Sequence, residues 1–572
     1  MIDKAAVPLY WGDMSKRRHG VRAGALLLLA AASCGSTDEK PVPQPDVLSF
    51  RVTDKHTGRA LPAKVVLQDA NRNIIGFGTR DMYSGIEQDL GFCDLGRGVL
   101  GTAEGLVLQD GSGDLPVNGG DGCTPTPAIL YGPVHVQIFR GIEYESFETD
   151  VDLVAGMGHV TIEAPLERAW TPNGALSADL HVHTDQSGDS RVPRRIRVLT
   201  ELVTGVQVIG SSDHNYNGSF DEDIDELGLR ASIAAIDGNE VTADMLHANI
   251  FPAHPIAGAV RGGATPYEQV TPMSGAQFFA HVRALPDHPL VQLNHPRLRF
   301  AAYFDYAGWD GVSWPPPMPM DFDAVEVLQG MQAFNIDGDR RVDVAIRDLY
   351  TMVEHGKLAA AVGNSDTHHL TGVLAGVPRN YVFMDDATIN PFDETAFLDA
   401  IRARHVLATT GPWLEVFTSD GAISGGTTVP VDGAVTLSIS LREASFVHVN
   451  RIRVWVGGQV AMTLPVDPSE RRYNWIGPIP VGASDTWIGV DAMGDEPLPE
   501  PLTGGFVVYQ SQGHGMTPVA LINPILVDAN GDGIWATPAA RAAGPMPAVD
   551  ILPPASTGQM LDCGQPPPAP VQ

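Results

Sequence analysis

Residues 175–183 read ALSADLHVH and residues 358–369 read LAAAVGNSDTHH, and these two stretches decide how the chain folds around its chemistry. Each is a short apolar run, strand-like in length, that ends in a pair of metal-ligating side chains: His181 with His183, and Asp366 with His368. Residues i and i+2 of a strand project to the same face, so each pair can approach one ion. A single HxH is a weak signal; the same spacing at the end of a second apolar run is far less easily accidental.

Three further strand-then-ligand junctions lie between them. VQVIGSS (206–212) leads into Asp213 and His214, ASIAAIDGN (231–239) into Glu240 with His247 soon after, and PLVQLN (289–294) into His295. Twelve of the 18 histidines fall within residues 171–410. Strands here alternate with helical stretches such as GAQFFAHVRAL (275–285) and RVDVAIRDLYTMVEHGK (341–357), so the block reads as α/β. In a parallel barrel all strand C-termini open on one face, which lets distant ligands converge. Neutral imidazoles with a few carboxylates suit Zn, Mn or Fe, and so many of them suit more than one ion.

The series DLHVHTDQSGDS, GSSDHN, GNE with LHANIFP, LNHP and GNSDTHH resembles the PHP (polymerase and histidinol phosphatase) metallohydrolase superfamily. Within it the series is most similar to the branch of the carbaryl hydrolases CehA and McbA, and ALINPILVDANGDG (520–533) extends the likeness beyond the α/β block. The resemblance implies a distorted (β/α)7 barrel with two or three divalent ions. His181, His183, Glu240 and Asp366 would hold one ion, and Glu240 would bridge to a second held by His247 and His295. Asp189, His214 and His368 would hold a third, although many relatives carry the carboxylate one residue earlier than Ser187-Gly188-Asp189 does. Asp244 or His254 stands as an alternative to His247, and Asp179 and Asp213 would orient imidazoles.

Ions of this kind activate water and polarise a substrate oxygen, so the expected chemistry is hydrolysis of a phosphoester or of a carbamate- or amide-type ester. No GxSxG motif follows a strand, which leaves a covalent serine mechanism unsupported. His369 is the candidate proton donor. Arg297 either holds an anionic substrate group or sits on the rim. Tyr303, Trp309 and Trp314, in the Pro-rich segment 301–319, are expected to line an aromatic pocket beneath a substrate lid. The alternative to an enzyme is a lipid-anchored, non-catalytic binding protein of the envelope.

Composition bounds the rest. With 37 Lys+Arg against 68 Asp+Glu in 572 residues, the net charge of −31 excludes a charge-driven nucleic-acid binder. The length suggests three or four domains at roughly 150 residues each. Alternating runs such as LSFRVTD (48–54) and HVTIEAPL (159–166) predict a β-sandwich over 48–168, ahead of the 171–410 barrel. AVTLSISL (434–441) and RIRVWVGG (451–458) predict a second sandwich over 411–537, followed by a Pro-rich flexible tail, 538–572. The expected fold class is therefore multidomain α/β plus all-β.

Residues 14–36, MSKRRHGVRAGALLLLAAASCGS, read as a bacterial lipoprotein signal peptide: basic residues, an apolar run of about ten, then small residues before Cys34. Translation then starts at Met14, lipid on Cys34 tethers the chain to a membrane, and 34–47 is the tether. Gly35 after the lipidated cysteine favours the outer membrane of a bacterial envelope. In that oxidising compartment Cys93 pairs with Cys123 and Cys563 is left over. Asp528-Ala-Asn-Gly-Asp532-Gly533 begins like a calcium loop, but position twelve is Ala539, so a tight acidic turn is expected; Asp337-Gly-Asp339 is likewise a turn.

Overall fold

The computed structural model describes residues 46–77, 80–83, 86–89, 93–96, 98–102, 105–117, 131–297, 301–313, 318–330, 341–370, 375–499 and 516–543. The signal peptide, most of the tether, Cys123, Cys563, Trp314, the 337–339 turn and most of the tail lie outside these residues, as does the side chain of Cys93.

The described residues between 46 and 166 form two facing sheets and a separate hairpin, Arg80–Tyr83 with Ile86–Asp89. The strand Val47–Asp54 pairs in parallel with His159–Leu166 and antiparallel with Ser112–Pro116. A second sheet runs in the order Phe147–Leu153, Gly132–Phe139, Ala63–Gln68, Gly105–Leu108, Val99–Thr102, Cys93–Gly96. Alternation explains the layering: Leu48, Phe50 and Val52 share a core with Val65, Leu67, Val136 and Ile138.

The next region mixes strands with few helices. Its strands are buried along their whole length, as in Ala175–Asp179, Ala324–Gln329 and Ala360–Asn364, which accounts for near-continuous apolar runs in place of alternation. They form two sheets. One begins Ala234–Ile236, Val208–Gly210, Ala175–Asp179, with parallel pairing; the other is Asn239–Thr242, His247–Phe251, Leu290–Leu293, Ala324–Gln329, Ala360–Asn364. Among the described residues these strands do not close into one hydrogen-bonded ring. Isolated bridges Val182–Thr367 and His214–Glu240 instead join the sheets just past the strand ends. The expected helices occupy Gly275–Arg283, started by a Ser274 capping box, and Arg341–Glu354.

The first sheet does not stop at residue 410. Arg379–Phe383 and Val406–Thr409 continue it into Val519–Ile522, Thr486–Met493, Arg451–Val456 and Gln459–Pro465. A three-stranded sheet, Trp413–Thr418, Ala434–Arg442 and Arg472–Pro480, packs Leu437 and Ile439 against Ile452, Val454 and Val490. Asn523 stitches this region to the ligand-bearing strands: its Oδ1 accepts Ala361 N–H at 2.6 Å, and its Nδ2 donates to the carbonyls of Ala361 and Val406 at 3.2 and 3.1 Å. The acidic turn has the form expected, with Asp528 accepting the N–H groups of Gly531 and Gly533, both at 2.8 Å.

Asn523 is fully buried, so Asn523→Ala strands backbone groups that water cannot reach. The expected loss is about 3 kcal/mol of stability, read as a lowered unfolding midpoint in thermal or urea titrations.

Candidate metal centre

All nine expected ligands converge. His183, Asp189, His214 and His368 form one group; His181, His295 and Asp366 a second; His181, His183 and Glu240 a third; and His214, Glu240 and His247 a fourth, with donor atoms within 4.8 Å of one another in each. Strand direction explains the convergence. His181, His214, His295 and Asp366 follow the C-terminal ends of parallel strands, whereas His247 begins a strand that runs antiparallel to Leu290–Leu293. Its start therefore lies at the same rim as its neighbour's end.

Glu240 is the hub. Its Oε1 lies 3.2 Å from His181 Nε2, 3.2 Å from His247 Nδ1 and 3.6 Å from His295 Nε2, and its Oε2 lies 2.7 Å from His214 Nδ1. Asp366 Oδ1 lies 3.2 Å from His181 Nε2 and 3.1 Å from His183 Nε2. Asp189 Oδ2 reaches His214 Nε2 at 2.8 Å and His368 Nε2 at 3.1 Å, so the one-residue shift still delivers a carboxylate. The groups overlap more than the expected assignment does: His295 falls with His181 and Asp366, His183 also with Asp189, His214 and His368, and His214 also with Glu240 and His247. Asp244 is hydrogen-bonded by the Tyr267 hydroxyl, and the largely exposed His254 pairs with Asp237; neither joins a group.

The donor atoms are poised for a cation. His181 Nε2, His183 Nε2, Glu240 Oε2, His247 Nδ1 and Asp366 Oδ1 are buried and make no hydrogen bond, although oppositely charged atoms stand close by. Such orphaned atoms are costly unless an ion or water meets them. Imidazoles with carboxylates are the donor chemistry of Zn, Mn or Fe. His295 and Asp366 hold φ at 29° and 53°, sparsely populated for residues with side chains and of the kind that clusters at functional sites.

Electrostatics favour the ligating forms of the three carboxylates and of two histidines. Burial lowers His183 to about 3 and His247 to about 4, leaving both neutral near pH 7. Burial pulls the Glu240 carboxyl upward, but the imidazoles of His214, His181 and His247 outweigh it and hold the group ionised; histidines do the same for Asp189 and Asp366. The reverse pull acts on His181 and His368: burial lowers them, but carboxylates raise both above the ordinary histidine value.

Residues around the donors fix their orientation, and several were not legible as site residues. Glu326 Oε1 pairs with His181 Nδ1 at 2.8 Å, turning Nε2 inward, while Oε2 accepts the His295 N–H at 2.7 Å. Gln329 donates to Asp366 Oδ2 at 2.6 Å, Asn294 donates to Glu240 Oε1 at 2.8 Å, and Ser187 Oγ lies 3.1 Å from His183 Nδ1. The signal for Glu326 and Gln329 was a carboxylate and an amide inside AVEVLQ, a run otherwise apolar and buried throughout.

Several expectations are corrected. Arg297 is neither a substrate clamp nor a rim residue: it is buried, bidentate to Asp348 at 2.6 and 2.8 Å, paired with Asp305 at 2.7 Å, and stacked over Phe304 and Trp309. Tyr303 and Trp309 pack in the hydrophobic core, donating to the carbonyls of Pro319 and Ser313. Asp179 accepts N–H groups of His181, Ser365 and Gly376, and Asp213 accepts the N–H and the hydroxyl of Thr184, so both clamp the ligand loops. His369 packs beside His368, and burial lowers its imidazole to about 3, so the ring is neutral near pH 7.

No family model matches the chain, and no curated protein is significantly similar to it.

Two outcomes follow from this geometry. Glu326→Gln places an amide N–H₂ against donors, and zinc affinity measured by chelator competition is expected to fall about 10–100-fold. Arg297→Ala strands the buried Asp348 and is expected to cost about 3–5 kcal/mol in urea unfolding, with zinc stoichiometry unchanged.

Proposed function

We propose that the chain is a metal-dependent hydrolase of the PHP superfamily, in the CehA- and McbA-like branch, acting on a phosphoester or on a carbamate- or amide-type ester. One observation carries this: nine ligating side chains from distant parts of the chain meet in a buried cluster, and five of their facing atoms, on His181, His183, Glu240, His247 and Asp366, make no hydrogen bond. The superfamily's distorted (β/α)7 barrel belongs to the same proposal. It is supported by two sheets that present their ligand-bearing ends to one another through the Val182–Thr367 and His214–Glu240 bridges.

His181, His183, Glu240 and Asp366 would hold one cation; His183, Asp189, His214 and His368 would surround another; and His247 and His295, each facing Glu240, would complete a bridged pair. Cations held there lower the pKa of water and polarise a substrate oxygen. The protein's own contribution is orientation. Glu326, Asn294 and Gln329 hold donors by second hydrogen bonds, and complete burial of His181, His183 and Glu240 keeps bulk water from competing. An envelope location, with lipid on Cys34 as the tether, belongs to the same proposal and is supported by the lipoprotein-like pattern of residues 14–36.

The test is metal content by mass spectrometry on the parent and on His181→Ala/His183→Ala, with phosphodiester, phosphomonoester and carbamate ester turnover on the same samples. Two or three equivalents of Zn, Mn or Fe that fall in the variant, together with turnover of one substrate, are expected. Less than one equivalent, unchanged by the substitutions, would overturn the hydrolase in favour of the anchored binding protein.

Acidity supplies a second check. His181 and His368 titrate above the ordinary range because carboxylates surround them, so a binding cation must displace their protons. Zinc binding near neutral pH is therefore expected to release protons in calorimetry run in buffers of different ionisation heat, and affinity is lost as pH falls. His183 and His247, already neutral, add to that loss only as pH nears about 4.

A further inference from the structure

The helix Arg194–Thr204 packs behind the ligand loops and is held at both ends. On the side of the metal centre, Arg197 is fully buried: its Nε donates to the His183 carbonyl at 3.1 Å and its Nη1 to Thr367 Oγ1 at 3.2 Å. Thr367 stands between Asp366 and His368, and its carbonyl accepts the His183 N–H at 3.0 Å. One planar guanidinium thus spans the two loops that carry four of the nine ligands, a reach that a lysine's single ammonium does not reproduce.

At the other end, the last carbonyls of the helix are taken by arginines. Arg140 Nη1 donates to Leu202 O and Arg379 Nη2 to Thr204 O, the latter at 2.8 Å, which also sets positive charge at the negative pole of the helix. Arg140 follows the strand Gly132–Phe139 of the N-terminal β region. Its neighbour Gly141, at φ +68°, lies directly against the Thr204 carbonyl; a Cβ there would overlap that oxygen. Backbone meets backbone, with no side chain between to yield.

The geometry points to the N-terminal β region as a positioning element of the metal centre: Arg140 and Gly141 fix the helix along its length, and Arg197 passes that position to the His181–His183 and Asp366–His368 loops. Arg140, Gly141 and Arg197 are positioning residues, since none touches a donor atom. Metal sites make this coupling consequential, because ligand distances tolerate only about 0.2 Å. The identity of the donors rests on the proposed function; the mechanical link does not.

The experiment uses the full chain with Gly141→Ala, Arg140→Gln, Arg197→Lys and, as a control, Glu145→Gln. Glu145 ties the same N-terminal region to Ser445 and Arg471, at 3.0 and 2.9 Å, away from the helix. Two quantities are read: deuterium exchange of segments 181–187 and 364–370 in metal-free protein, and the rate at which bound zinc passes to a chelator. Gly141→Ala, Arg140→Gln and Arg197→Lys are expected to deprotect both segments and to release zinc about tenfold faster, while Glu145→Gln does neither. Should Gly141→Ala fail to fold, Arg140→Gln, whose shorter amide gives up the Leu202 carbonyl and adds no clash, gives the same reading. Exchange and release in Arg140→Gln matching the parent, or Glu145→Gln matching Gly141→Ala, would overturn the proposal. A parent that binds no zinc removes the hydrolase reading, and the exchange measurement still decides the link.

Discussion

Three carboxylates, Asp189, Glu240 and Asp366, are buried among six imidazoles, and the rest of the molecule is arranged to make that tolerable. An ionised carboxylate removed from water is strongly destabilising unless opposite charge and hydrogen-bond donors replace the solvent. Here each carboxylate has imidazole nitrogens within about 3–4 Å, and amides from Asn294 and Gln329 take up further lone pairs. Strands alone cannot supply such density. Loops from several strand ends must meet, and each must be held by its backbone, as Asp179 and Asp213 do.

The same demand explains where polar residues lie in otherwise apolar strands. Glu326 and Gln329 on one strand, and Asn364 on the next, hydrogen-bond to the donors or to one another, with Asn364 donating to Glu326 Oε1 at 2.9 Å. Burial that would be a defect in a hydrophobic core becomes a second layer of hydrogen bonds around the first. The strained backbones of His295 and Asp366 belong to this economy, since the surrounding contacts over-determine them.

Much of the donor set was legible because two periodicities coincided: apolar runs of strand length, and ligands just after them. His181, His183, His214, Glu240, His295, Asp366 and His368 all follow that rule. His247 was ambiguous against Asp244 and His254 because it opens a strand; only the antiparallel direction of His247–Phe251 brings it to the common rim. Arg297 and the aromatic segment misled for one reason. A cation and large rings near a ligand read as substrate contacts, whereas their partner Asp348 lies 51 residues away on another helix, beyond what local pattern reveals. Arg197 was illegible likewise, since a fully buried arginine on a helix has no signature until its carbonyl partners are placed.

Continuity of the long sheet across residue 410 bears on how such a chain is inherited. Val406–Thr409 pairs on one side with Arg379–Phe383 and on the other with Val519–Ile522. Ending the chain after the ligand loops would leave that strand with an open row of amides and carbonyls, a template for edge-to-edge aggregation. The C-terminal β region is thus not a bead that recombination can add or drop. It closes an edge beside the metal-bearing strands, so the two are expected to travel through evolution as one unit.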